Sequence, residues 1–153
     1  MIVALALAAA RVGPVASLDV LLANGSYATV HVRRHNQLDH AFLVDCVRKC
    51  AKPLHFEAAI DETPLGLVDL QTDGLVYSVW GTGCCYIVRV WQLRPTGVKL
   101  LLETGSRSQP SLLAKSGLAV ETYMRVTDER GRDVGTSLRP VRWTYRQGRF
   151  IHS

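Results

Sequence analysis

The chain lacks the motifs that announce a chemistry. It has no Gly-x-x-x-x-Gly-Lys phosphate loop, no Gly-x-Ser-x-Gly nucleophile elbow and no His-Glu-x-x-His metal helix. The nucleotide-hydrolase, serine-hydrolase and zinc-protease readings that rest on those motifs fall with them. No apolar run approaches the about 20 residues that a membrane-crossing helix needs. No window sustains a helical period, so a helical bundle is not expected. Charged residues make up only 20%, and the net charge of +5 is not gathered into a Lys/Arg block. That argues against a polybasic tail for nucleic acid or membranes. Cys-x-x-Cys is absent, and with it the usual redox motif.

What is present points to an exported β domain. The 153 residues suffice for one domain with its own core, and 48% hydrophobic content excludes extensive disorder. Ile2–Ala10 is an unbroken apolar run followed by small residues at Val15-Ala16-Ser17. Its length suits the core of a signal peptide, although a basic stretch before it is missing. The same run also fits a buried first strand. We take residues 1–17 as a signal peptide and 18–153 as a single β domain, which implies a periplasmic or secreted protein. The cysteine count is even: Cys46, Cys50, Cys84 and Cys85. In an exported chain such a set is expected to form disulfides.

The rest of the chain alternates. In Tyr27–Arg34, Ala28, Val30 and Val32 point one way and Tyr27, Thr29, His31 and Arg33 the other. Leu54–Ile60, Val98–Glu103, Leu118–Val126 and Val141–Arg146 repeat the pattern, which is the period of a half-buried strand. Leu65–Leu70, Leu75–Trp80 and Cys85–Leu93 are further strands, divided by Asp73-Gly74 and Gly81-Thr82-Gly83. Glycine there supplies the positive φ that tight hairpins need. Ser111–Lys115 reads as one helical turn at most, and Thr127–Gly135 as a charged loop. The sum is an all-β fold of about ten short antiparallel strands, arranged as a sandwich or as incomplete propeller-like sheets. Leu65–Pro110 and Ser111–Ser153 share a loose layout, at the spacing of blade-like repeats.

Asp69-Leu70-Gln71-Thr72-Asp73-Gly74 puts oxygen-bearing side chains at alternate positions before a glycine. Asp69, Gln71 and Asp73 are thus a calcium candidate, though one amide and two carboxylates make a weak site. The other reading is a plain hairpin with Asp73-Gly74 at its tip, and no cofactor is required. With the strand that follows, Gly81-Thr82-Gly83-Cys84-Cys85, and the Trp-bearing Val141–Phe150, this stretch resembles exported bacterial proteins with FG-GAP or VCBS-type propeller repeats. The resemblance covers residues 65–151. It implies a propeller-like arrangement and roles in adhesion or ligand display. This chain departs from the pattern at Leu75-Val76, where a Pro-Glu pair is usual, and in its second repeat, which carries no acid.

Cys84 and Cys85 can bond to one another in a turn or reach separate partners from a strand. Cys46 and Cys50 can pair locally, and three connectivities are open. All four are read as structural staples. His31 and His35, like Cys46 and Cys50, have zinc-compatible spacing, but four residues of strand separate two side chains by about 13 Å. His40, His55 and His152 show no partner in the sequence. Arg142 and Arg146 alternate with Trp143 and Tyr145, which splits cations from aromatics and makes nucleic acid an unexpected partner. The expected function is a non-enzymatic exported domain that binds a protein, a glycan or an envelope component. The alternative is a small periplasmic enzyme or enzyme inhibitor acting through the Gly81–Cys85 loop.

Overall fold

The computed structural model describes residues 13–34, 40–113 and 117–153. Among these residues twelve strands form three four-stranded antiparallel sheets, and none of the sheets closes into a barrel. The first sheet holds β1 (Gly13–Leu21), β2 (Tyr27–Arg34), β3 (His40–Arg48) and β4 (Leu54–Ile60). The second holds β5 (Thr63–Asp69), β6 (Leu75–Gly81), β7 (Tyr86–Arg94) and β8 (Gly97–Ser106). The third holds β9 (Ser111–Leu113), β10 (Ala119–Thr127), β11 (Asp133–Arg146) and β12 (Arg149–His152). Each sheet is a meander of neighbouring strands, and the two similar halves read in the sequence coincide with the second and third sheets.

The second sheet is the middle layer, and its sequence shows why. Along β6, Val76, Ser78 and Trp80 face the first sheet, while Leu75 and Tyr77 face the third; all five are buried. A strand covered on both faces reads as a continuous apolar run. β4, by contrast, alternates half-buried and exposed residues up to Ile60, because only one of its faces is covered. One core therefore joins Val30, Val32, Phe42 and Val44 of the first sheet to Leu67, Val76, Trp80 and Trp91 of the second. Phe42 and Trp91 stack with ring centroids 4.3 Å apart and planes 9° from parallel. The other core joins Leu75, Val88, Val90 and Leu102 to Val120, with Trp143, Tyr145 and Phe150 packed against it.

Ser78 ties the first core together. Its hydroxyl accepts the indole N–H of Trp80 at 2.9 Å and of Trp91 at 3.1 Å, and donates to the Arg89 carbonyl at 3.1 Å. Arg89 is nearly buried beside it. It pairs with Glu103 at 2.7 Å and Glu62 at 3.3 Å, so the charge brought out of water is matched on two sides.

The segments read as a helical turn and as a charged loop need correction. Ser111–Leu113 is strand β9, not a helical turn, because it pairs with Ala119–Glu121. Residues 114–116 lie outside the described residues. The charged Thr127–Gly135 segment is not all loop: β11 begins at Asp133, and β10 pairs as far as Thr127. The strand was hidden because Asp133–Pro140 is exposed throughout and carries no apolar alternation. β1 begins at Gly13, so it reaches back into the stretch read as a signal peptide, and Ser17 pairs with His31. Residues 1–12 of that stretch, and His35, lie outside the described residues. No helix among the described residues is long and apolar enough to cross a membrane.

Candidate functional site

Two turns at opposite ends of the middle sheet carry the residues singled out by sequence. The first joins β5 to β6. Asp69 accepts the backbone N–H of Gln71 on Oδ1 at 2.8 Å, and Leu75 N donates to the Thr72 carbonyl at 2.9 Å. Gln71, Asp73 and Gly74 all take positive φ, at 54°, 51° and 66°. Gly74 is required for a second reason: a Cβ there would fall 2.3 Å from the Leu93 carbonyl oxygen. Tyr145 donates its hydroxyl to Asp73 Oδ2 at 3.0 Å, fastening this turn to the third sheet. Burial pushes the Tyr145 hydroxyl upward in pKa, and the bond to Asp73 adds to the rise.

This turn borders a cleft of about 890 Å³ that also meets Asp19, Tyr27 and Arg94. Calcium takes roughly six to eight oxygens. Asp69, Gln71 and Asp73 offer a short donor set, and each carboxylate already holds one protein hydrogen bond. No group of three or more His, Cys, Asp or Glu suited to a metal occurs among the described residues.

The second turn joins β6 to β7 and contains the cysteine pair. Thr82 organises it. The Thr82 hydroxyl accepts the backbone N–H of Cys84 at 3.3 Å and of Cys85 at 3.0 Å, while Thr82 N donates to the Cys85 carbonyl at 2.9 Å. Cys84 and Cys85 are bonded to one another, and Cys46 is bonded to Cys50 across 6.1 Å between Cα atoms. The two bridges differ in setting. Cys46 is buried, whereas Cys84 is exposed and Cys85 half-buried on the wall of a cleft of about 700 Å³. Asp61, Glu62 and Leu65 also line this cleft. Burial raises the Glu62 carboxyl, but hydrogen bonds from Arg89 and its own backbone, with the Arg89 charge, outweigh that and hold it below the ordinary value. Arg107 Nη1 stands 3.5 Å from Cys85 Sγ and 4.0 Å from Cys84 Sγ.

A third feature was half legible in the sequence, which located Leu118–Val126 as a strand but not its partner along Asp133–Pro140. Beyond Tyr123 the β10–β11 hairpin leaves the body. Tyr123 is the last firm anchor: its N–H donates to Ser106 Oγ at 2.9 Å and its carbonyl accepts Arg107 N at 2.7 Å. The tip is braced internally. Asp128 accepts backbone N–H groups from Arg130 and Arg132 at 2.9 and 3.0 Å, and Arg132 Nε at 2.9 Å. These bonds, the Arg132 backbone bond first, hold its carboxyl below the ordinary value against partial desolvation. Met124, Val134 and Leu138 are exposed at 39%, 51% and 39%. Among the described residues β12 pairs only with Trp143–Arg146, so the outer edge of Asp133–Val141 has no strand beside it.

The remaining sequence candidates are scattered. His55 bonds to Asp45 directly opposite on β3, with Glu57 4.0 Å away. His152 lies against the Trp143 ring, and His40 is buried at the end of β3. Trp143 and Tyr145 pack inward while Arg142 stays outside, paired with Glu121 at 3.3 Å. Comparison with known protein families, with curated proteins and with solved structures returned no match.

Proposed function

We propose that the chain is a non-enzymatic binding domain of the periplasm or the extracellular space, and that it takes a protein partner through the β10–β11 hairpin. The observation that carries this reading is the hairpin itself. It is braced at its tip, exposed along Asp133–Pro140, apolar at Met124, Val134 and Leu138, and, among the described residues, open along one edge. An open edge offers backbone donors and acceptors to an added strand, and neighbouring apolar side chains add affinity. A braced arm also loses little conformational freedom on binding. Two cysteine pairs support a compartment outside the reducing cell interior. The succession of three meanders is in keeping with the propeller-like resemblance and its display roles. Neither a cofactor nor a metal enters the reading.

The test is site-specific photo-crosslinking in the native host. A photoreactive residue at Val134 or Leu138 is expected to give a discrete protein adduct outside the cytoplasm. The same residue at Ala59, exposed on the first sheet, is expected to give none. No adduct at the hairpin, or equal adducts at both places, contradicts the proposal.

A further inference from the structure

Neither the partner-binding reading nor a staple role uses the Arg107 side chain. Its guanidinium is exposed, lies within 4.0 Å of both sulfurs of the Cys84–Cys85 bridge, and pairs with no carboxylate among the described residues. A cation at that distance favours thiolate over thiol and lowers a cysteine pKa. The bridge is reachable from the cleft, and its turn does not depend on it. The bonds of Thr82 to Cys84 N, Cys85 N and the Cys85 carbonyl hold the loop with or without a sulfur–sulfur bond. Cys46–Cys50 differs: Cys46 is buried, Cys50 is half-buried, and no cation is placed on either sulfur among the described residues.

We propose that Cys84–Cys85 is a thiol–disulfide exchange site, with Arg107 as the residue that stabilises the departing thiolate, and that its substrates are thiols of the surrounding medium. An incoming thiolate attacks the exposed Cys84 Sγ, forming a mixed disulfide, and the Cys84–Cys85 bond breaks. Its electron pair leaves on Cys85 Sγ, the sulfur nearer Arg107 Nη1. A second thiolate then attacks the substrate sulfur of the mixed disulfide. Cys84 departs as thiolate, both cysteines take up protons as the pH allows, and the two substrate thiols leave as one disulfide. The substrate is thus oxidised by two electrons and the protein reduced by two. A better leaving thiolate makes the first step faster.

The experiment exposes the oxidised protein to graded dithiothreitol or reduced glutathione, quenches in acid, alkylates and maps each cysteine by mass spectrometry. The Cys84–Cys85 bridge is expected to open before Cys46–Cys50, and glutathione to be trapped on Cys84. Arg107→Gln is expected to slow the opening roughly threefold to tenfold, and Arg107→Lys to retain most of the rate. In the reduced protein, alkylation of Cys85 by iodoacetamide is expected to show a midpoint below the ordinary thiol value of about 8.5. That midpoint is expected to rise in Arg107→Gln. Because Arg107 anchors the fold through its backbone, both variants keep that bond, and circular dichroism checks it. The proposal is overturned if Cys46–Cys50 opens first, if glutathione is trapped on Cys85, or if Arg107→Gln leaves rate and midpoint unchanged.

Discussion

At the scale of single residues, Ser78 carries more of the core than its size suggests. Two buried indole N–H groups share its one oxygen. Each buried donor left without an acceptor costs about 1–3 kcal/mol. Ser78→Ala is therefore expected to lower unfolding stability by about 2–4 kcal/mol in urea titration, well beyond the loss of one small side chain. Gly74 and Gly83 make a matched pair. Gly74→Ala must place a methyl group against the Leu93 carbonyl at positive φ, whereas a Cβ at Gly83 meets nothing within 4 Å. The first is expected to cost more than about 2 kcal/mol and the second less than about 0.5 kcal/mol by the same measurement. His55 gives a prediction about pH. The bond to Asp45 raises its pKa first, then the Asp45 charge, and then Glu57, against slight desolvation. A raised folded-state value means the protonated ring is favoured in the fold. That contribution is complete below the unfolded value of 6.5 and is lost as pH rises through the folded one. Histidine NMR is expected to show a midpoint above 6.5 that falls in Asp45→Asn; a midpoint at or below 6.5 in the parent removes the pair from the account.

At the scale of elements, the sequence reported strands well and register poorly. Alternation located Tyr27–Arg34 and Leu54–Ile60 to the residue, because each presents one face to a core. β9 and the first half of β11 carry no such signal, since a three-residue strand is too short for a period and Asp133–Pro140 is exposed on both faces. The cysteine turn was legible in place from Gly81-Thr82-Gly83, but neither glycine takes the positive φ expected of it, since Thr82 shapes the turn, and the cation beside it left no mark. Counting outward from the Pro95–Gly97 turn without a bulge puts Ser106 opposite Cys85. The shift between Val90 and Trp91 adds one residue on β8, so Tyr86 faces Ser106 and Arg107 moves up to the sulfurs. Bulges re-aim side chains in this way and leave no reliable mark in a sequence. The Asp45–His55 pair was hidden for the same reason, because the Lys49–Pro53 connection does not declare its register. The hairpin supplies the prediction at this scale. Val134→Asp together with Leu138→Asp is expected to leave stability within about 0.5 kcal/mol of the parent, since neither side chain enters a core. The same pair is expected to abolish the hairpin adduct. A large loss of stability would show that the arm belongs to the body rather than to a partner.

At the scale of the molecule, a middle sheet buried on both faces is the organising device. It joins two cores that share no side chain, and its two ends hold the acidic turn and the cysteine turn. Both bridges are local: Cys46, within β3, joins Cys50 just past its end, and Cys84 joins Cys85 before β7, so neither links one sheet to another. The layers are held by burial, and the Cys84–Cys85 bridge lies on the wall of an open cleft. The compartment, the staple at Cys46–Cys50 and the exchange site all rest on that local pairing. The most direct test is non-reducing peptide mapping of the protein isolated from its native host, with thiols trapped by alkylation at lysis. Cys46 is expected to be joined to Cys50 and Cys84 to Cys85, with Cys46–Cys50 intact in every molecule. Four alkylated thiols, or a bridge from either of Cys46 and Cys50 to either of Cys84 and Cys85, would contradict it.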